Sequence, residues 1–286
     1  MSTVINAHKK FFIRLSIRNI VMYIVLTFLA LLALYPIIFP ILSSFKTKTE
    51  FVTNKLSLPN SLYLGNFDYV LNYARLFRYV GNSIIFVVGG TSLYLFLVIT
   101  SGYAFGQLKY KFKSQFFMIV LFLMIFPQML LAIPIYKLVI KMGFVNTLFG
   151  AIIACTAYFA PYGCYIMTTY FASIPQSIRE SAKIDGANSF RILWNIMMPI
   201  GLPMVATVSI VAFNSFWNEL PFSVLLLQKN TIKTIILGVA LMRGEYGIPV
   251  PTLSAAIVIA MIIPLSVFLF FQKEVAGGAT IGAIKG

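Results

Sequence analysis

Residues 79–108 read YVGNSIIFVVGGTSLYLFLVITSGYAFGQL, without a single Asp, Glu, Lys or Arg. A helix needs about 20 mostly apolar residues to cross roughly 30 Å of hydrocarbon, whereas a barrel strand needs about 10 of alternating polarity. This stretch is too long for the strand and does not alternate, so it predicts a membrane-spanning helix. Outward from it, the chain splits at its charges into five more uncharged windows: 19–45, 114–136, 142–178, 192–218 and 246–272. Each is long enough to span. The expected fold class is all-α, a polytopic membrane protein with six transmembrane helices.

Composition agrees. Of 286 residues 60% are hydrophobic and 10% charged, against roughly 45–50% and about 25% in a soluble domain. A soluble fold would lack a polar shell, and a disordered chain would be poor in Phe, Ile and Leu. The net charge of +15, from 22 Lys or Arg and 7 Asp or Glu, does not point to nucleic acid. The cations lie in short clusters between apolar runs rather than in a basic domain, as membrane topology and lipid headgroups require. Cys155 and Cys164 share one apolar run and His8 is the only histidine, so neither a metal site nor a disulfide framework is indicated.

The fourth window is predicted to hold a span near 148–170 that ends before Pro175, preceded by a Gly- and Asn-containing loop at 143–146. Residues 220–228 are apolar but too short to cross, which leaves re-entrant or interfacial structure open in 220–250. Lys9, Lys10, Arg14 and Arg18 precede an apolar run at 20–42 that exceeds a signal peptide's core, and Leu34-Tyr35-Pro36 offers no cleavage site. The first helix is therefore read as uncleaved, after a cytoplasmic segment 1–19. Six crossings place both termini inside, with a six-helix domain over 20–272 and a cytoplasmic tail at 273–286. The inner segments 1–19, 106–115, 171–200 and 272–286 hold 12 Lys or Arg, and the outer segments 43–79, 137–147 and 221–252 hold 10. The margin is narrow, and it sharpens at Lys109, Lys111 and Lys113 beside the helix ends. Prolines 36, 40, 127, 134, 161 and 264 interrupt the windows. Membrane helices tolerate proline when neighbours re-satisfy the carbonyls, and proline kinks also shape transport paths.

One inner segment is unlike a linker. From Ser173 it reads SIPQSIRESAKIDGANSFRILWNIMMPIGLP, a short helix-competent run to Asp185, then Gly186, then a second run to Met198, with Pro175 and Pro199 as brackets. Ile178, Ala182 and Ile184 are expected on one broad side, with Arg179, Glu180, Lys183 and Asp185 supplying a polar side. An amphipathic helix resting on headgroups and a docking element for a soluble partner both fit this pattern.

These residues carry a resemblance. Glu180-Ser181-Ala182, three residues, Gly186, nine residues and Ile196-Met197-Met198-Pro199 are similar to the EAA loop of ABC importer permeases, with Ser181 where Ala is usual and Met198 where Leu is usual. Asp185-Gly186-Ala187, Trp217-Asn218-Glu219, Gly244-Glu245-Tyr246-Gly247 and the tail Gly282-Ala283-Ile284-Lys285-Gly286 resemble the carbohydrate-uptake branch, the maltose-type CUT1 importers. The resemblance implies the six-helix type I ABC importer permease fold in a prokaryotic cytoplasmic (inner) membrane. It also implies a heterodimer with a second related permease, two ATPase subunits on the EAA loops and an extracytoplasmic solute-binding protein. By that likeness Glu180, Ser181, Ala182, Asp185, Gly186 and Ala187 form the ATPase-coupling helix and turn within a loop at 173–200.

ATP and Mg would then be bound by the partners. This chain has no Gly-Lys pair and so no Gly-x-x-x-x-Gly-Lys-Ser/Thr loop, and it shows no nucleophile–base arrangement. No catalytic residue, metal or cofactor is assigned to it. Its expected work is alternating access driven by its partners. For the cargo path, polar groups expected to face the bundle interior single out Gln128 in the third helix and Asn214, Trp217, Asn218 and Glu219 near the end of the fifth. Each has a plainer alternative: an interfacial anchor for Trp217, interhelical hydrogen bonding for Gln128 and Asn214, and solvent exposure for Glu219. A permease of this class for a polyol phosphate or a sugar acid is an alternative to a sugar importer. A secondary carrier fits less well, because no charge interrupts any window.

Overall fold

The computed structural model describes residues 17–283. The expected cytoplasmic start and the end of the tail, including His8 and Ile284-Lys285-Gly286, lie outside the described residues. The main elements of the described residues are helices: α1 Ile17–Ser44, α2 Lys48–Thr53, α3 Leu76–Gln107, α4 Lys113–Leu123, α5 Gln128–Lys141, α6 Leu148–Ser173, α7 Gln176–Ile184, α8 Ser189–Trp217, α9 Pro221–Leu226, α10 Ile235–Tyr246 and α11 Val250–Ala283. Among them α1, α3, α6, α8 and α11 are each long and apolar enough to cross a membrane.

The third window departs from a straight span. It is divided into α4 and α5, which meet at a bend of 106°. Pro127 is the physical cause: it lacks an amide and its extended ψ of 145° cannot continue α4. The six expected crossings are thus five continuous helices and one broken pair. The remaining intrahelical prolines do not interrupt their helices; α1 runs through Pro36 and Pro40, α6 through Pro161 and α11 through Pro264.

Pro199 does not close the coupling segment either. A π-helical turn at Leu193–Met197 precedes it, in which the Met198 amide donates to the Leu193 carbonyl five residues back. That wider ring absorbs the proline's missing donor and its crowding one turn back, so α8 continues to Trp217.

The core forms where α3 packs on α6, with α8 crossing both. Gly102 and Gly106 make the closest approach possible. A Cβ on Gly102 would fall onto the Met167 Cβ and crowd the Met167 and Thr168 backbone, and one on Gly106 would meet the Phe171 side chain and the Thr168 carbonyl. This is small-residue packing, which substitutes for the hydrophobic force that lipid removes. Phe86, Val98, Met167, Phe171, Val208 and Phe216 fill the contact and are fully buried. Cys155 and Cys164 sit within it as free, buried thiols. By contrast α1 stands at the edge, packed on α11, with nearly all its side chains exposed.

Two polar devices define the ends of the bundle. At one end the Gln107 amide, 1% exposed, donates to the Phe171 and Ile174 carbonyls and so ties the end of α3 to the terminus of α6. At the other end Lys46 is fully buried, and its ammonium donates to the Asn54 and Lys55 carbonyls and the Ser57 hydroxyl at 3.1–3.3 Å. Asn66 joins the same loop to α11: its amide donates to the Ser44 and Lys46 carbonyls, and it accepts from the Thr252 hydroxyl at 2.8 Å. Lys46→Met removes the donor to three acceptors at once. The expected result is local opening of residues 44–66, read as faster limited proteolysis there with little change in overall melting temperature.

Candidate functional site

The segment at the Gln107 end is built as two short helices around a left-handed turn. Gly186 has φ +80°, and its amide donates to the Lys183 carbonyl while the Ala187 amide reaches back to the Ala182 carbonyl, both at 3.0 Å. This closes α7 with a residue that only glycine supplies without strain. Asn188 opens the next helix, its side-chain oxygen accepting from the Arg191 amide at 2.8 Å.

The faces of α7 differ from expectation. Arg179 and Ala182 are each 6% exposed and form the inward side. Ile184, expected on the same side as Ala182, is 87% exposed, and Phe190 beyond the turn is 69% exposed. The reason is register: residues 179 and 182 are three apart and share a side, whereas Ile184 lies beyond that stripe. Glu180, Ser181, Asp185 and Gly186 are exposed and Ala187 is half-buried. Arg179 Nε has no hydrogen-bond partner among the described residues. The outer surface therefore combines two large apolar side chains with Glu180, Lys183 and Asp185.

A second arrangement forms around the α4–α5 break. Glu219 is 3% exposed, and it does not face solvent. Its carboxylate accepts from the Phe222 amide at 2.7 Å, the Ser223 amide at 2.9 Å, the Ser223 hydroxyl, and the Gln128 amide at 3.1 Å. It thus caps α9 and ties that helix to the first residue of α5. Burial raises its pKa above the usual glutamate value, against the opposing pull of the Ser223 hydroxyl, the Phe222 and Ser223 amides and Gln128. Trp217 is 3% exposed and stacked on Phe213 at 5.9 Å, so within this chain it packs rather than lines an open path. Asn214 and Asn218 are exposed and bonded to each other at 2.9 Å. Of the five expected path residues, the structure brings Gln128 to Glu219 and Asn214 to Asn218, and it buries Trp217 and Glu219 as packing and capping groups.

A cavity of about 250 Å³ lies where the α4–α5 break faces α3, α6 and α8. Tyr94, Phe126, Tyr158, Tyr162 and Ser215 are among its lining residues, a surface of aromatic faces and hydroxyls. None of these residues belongs to the motifs or polar groups singled out in the sequence. Tyr158 and Tyr162 were the available signal, since four-residue spacing puts two hydroxyl-bearing rings on one side of a spanning helix.

A bundle with a broken third span, a protruding helix–turn–helix and a hydroxyl-lined cavity defines a polytopic transport subunit. Comparison with known proteins makes the class specific. Residues 98–276 match the family described as binding-protein-dependent transport system inner membrane component. The arabinooligosaccharides transport system permease protein AraQ of Halalkalibacterium halodurans is 30% identical over 263 residues, covering 91% of this chain and 94% of that one. The trehalose/maltose transport system permease protein MalG of Thermococcus litoralis is 30% identical over 273 residues, covering 94% and 98%. Among solved structures, a bacterial ABC transporter involved in import of the acidic polysaccharide alginate superposes with a TM-score of 0.78 at 27% identity, covering 90% of this chain and 96% of the other.

The chain belongs to the family of binding-protein-dependent transport system inner membrane components. It is a multi-pass permease subunit with the ABC importer permease fold, and ATP hydrolysis resides in separate ATPase subunits.

Proposed function

We propose that this subunit conducts a saccharide through an importer of the maltose-type CUT1 branch, paired with a second permease, two ATPases and an extracytoplasmic binding protein. The single observation that carries the coupling role is the exposed outer surface of α7 and its turn. Ile184 and Phe190 leave water only if a partner covers them, and Glu180, Lys183 and Asp185 surround them with charge suited to a soluble protein. Arg179 and Ala182 root the same helix in the bundle, so motion applied to the tip is passed to the packed core.

In this reading Glu180, Ser181, Ala182, Asp185, Gly186 and Ala187 form the ATPase contact and its turn, within the loop 173–200. Both termini lie with that loop in the cytoplasm, and ATP and Mg are held by the partners. The Tyr94–Tyr158–Tyr162 cavity belongs to the sugar path, with Asn214 and Asn218 at the end of α8 as further polar groups of that path. The saccharides named for the two relatives support the choice of cargo class.

Two variants test the coupling. Glu180→Ala removes a contact; Gly186→Leu leaves space unchanged, with nothing within 4 Å of its Cβ, but strains the left-handed turn. ATPase retained on affinity-purified permease is expected to fall about tenfold or more in each, with uptake of a labelled oligosaccharide panel falling in parallel. Membrane insertion should be unchanged. Normal ATPase retention and uptake in both variants would end the assignment.

A further inference from the structure

The corner where α3 ends, α4 begins and α7 starts gathers positive charge. Its backbone is held by side chains: the Gln107 amide donates to the Phe171 and Ile174 carbonyls, and the Lys113 ammonium donates to the Leu108 carbonyl at 3.0 Å. The end of α3 and the start of α4 are thereby fixed beside the segment that opens α7. Arg179 enters this corner from the inward side of α7. It is 6% exposed, and its guanidinium lies close enough to Tyr103 and Lys113 for its charge to act on both. Lys109 is close enough to act on Lys113 as well.

A buried guanidinium ordinarily has a carboxylate or several carbonyls around it, because taking a charge out of water is costly unless pairing repays it. Arg179 has neither. Its Nε lacks a hydrogen-bond partner, and its side chain forms no ion pair among the described residues. No acidic residue stands between Asp68 and Glu180, so α3, α4, α5 and α6 bring none to the corner. Glu180 and Asp185, the acids nearest along the chain, are exposed rather than turned inward with Arg179. Lys113 spends one of its three donors on Leu108 and keeps the others.

The position of the corner selects the missing negative charge. It lies at the ends of spanning helices, and from it α4 runs into the bilayer with Phe116, Ile119 and Leu123 exposed along one side. A phosphate held at the corner is at headgroup level, and acyl chains attached to it follow that apolar side. The surface assigned above to the ATPase is the outer side of α7, away from Arg179.

We propose that this corner binds the phosphate of an anionic phospholipid, with Arg179 as the buried guanidinium that grips it and Lys109 and Lys113 as supporting cations. The guanidinium offers two parallel donors to a phosphate, and the lysines add charge without that geometry. The site goes beyond the transport reading: it joins the root of α7 to the membrane, so lipid composition sets how firmly the coupling helix is held.

The test is native mass spectrometry of lipid retained by the assembled transporter in non-ionic detergent. The probes are phosphatidylglycerol, phosphatidylcholine with matched chains, and inorganic phosphate. Phosphatidylglycerol is expected to be held about tenfold more tightly than phosphatidylcholine, and Arg179→Gln should remove most of that preference. Arg179→Lys, which keeps the charge and loses the fork, should retain part of it. Lys109→Gln, at an exposed position, should weaken it about threefold to fivefold, and this variant carries the test if Arg179→Gln does not assemble. Lys48→Gln, at the opposite end of the bundle, should leave it unchanged. Equal retention of the two lipids, or an unchanged preference in the Arg179 and Lys109 variants, overturns the site. Displacement of phosphatidylglycerol by an equal concentration of inorganic phosphate overturns the lipid as its source. Loss of the ATPase from Arg179→Gln with the lipid preference intact overturns the proposal in favour of an acidic side chain of that partner.

Discussion

Glu219→Ala is expected to lower the stability of the subunit by about 3–5 kcal/mol. The carboxylate accepts from four donors, and two of these are backbone amides that cannot turn away to find another acceptor. Each buried donor left unsatisfied costs about 1–3 kcal/mol, so losing all four acceptor contacts exceeds the effect of an ordinary cap. Glu219→Gln keeps one carbonyl oxygen and the side-chain shape, and should cost about 1–2 kcal/mol. Thermal unfolding of the purified subunit in detergent separates the two. The pH dependence has a definite sign. Burial raises this carboxyl's pKa, so the folded protein binds its proton more tightly than the unfolded chain. The contribution of Glu219 is therefore largest below the usual glutamate pKa and declines as pH rises through the raised value. Glu219→Gln should remove that part of the pH dependence.

Gly102→Leu should be at least as damaging, by overpacking. The added side chain meets backbone atoms of Met167 and Thr168, and backbone cannot swing aside as a flexible side chain does. Overpacking in a close-packed interior costs typically about 1–3 kcal/mol and more where the backbone itself must move. Here α3 and α6 must separate along their whole contact, and the joint from Gln107 to the start of the coupling segment opens with them. The expected result is little folded protein and a melting temperature lowered by several degrees. Gly81→Ala is the contrast: nothing lies within 4 Å of its Cβ, and alanine favours the helix by about 0.5–1 kcal/mol. Equal melting temperatures for the two variants would contradict this account of the core.

The spans and the coupling turn were legible in the sequence because both depend on local rules. An uncharged run must cross, and Gly186 after a polar helical run must turn. Details that depend on a neighbour were not legible. Whether Pro127 breaks a helix while Pro161 does not depends on what re-satisfies the freed carbonyl. That Pro199 is absorbed depends on a π-helical turn with no mark in the residues themselves. Gln128 within one apolar window and Glu219 at the edge of another stand out as polar groups, and both sit at the joint between α5 and α9. Their geometry is that of a cap and a tie, since Ser223 and two amides, remote from Gln128 in sequence, decide where the carboxylate points. Arg179 misled for a related reason: charge predicts exposure only until packing against neighbouring elements buries the long side chain.

The position of α1 sets a condition on synthesis. Its partner in the chain is α11, whose first residue is Val250, more than two hundred residues after Ser44. At about 5–20 residues per second, the first helix must remain in the bilayer for roughly 10–40 s before its partner emerges. A helix with charges or a polar seam would find wrong neighbours during that interval. The unbroken apolar surface of α1, which looks excessive in the finished bundle, lets it stand alone in lipid until the last helix arrives.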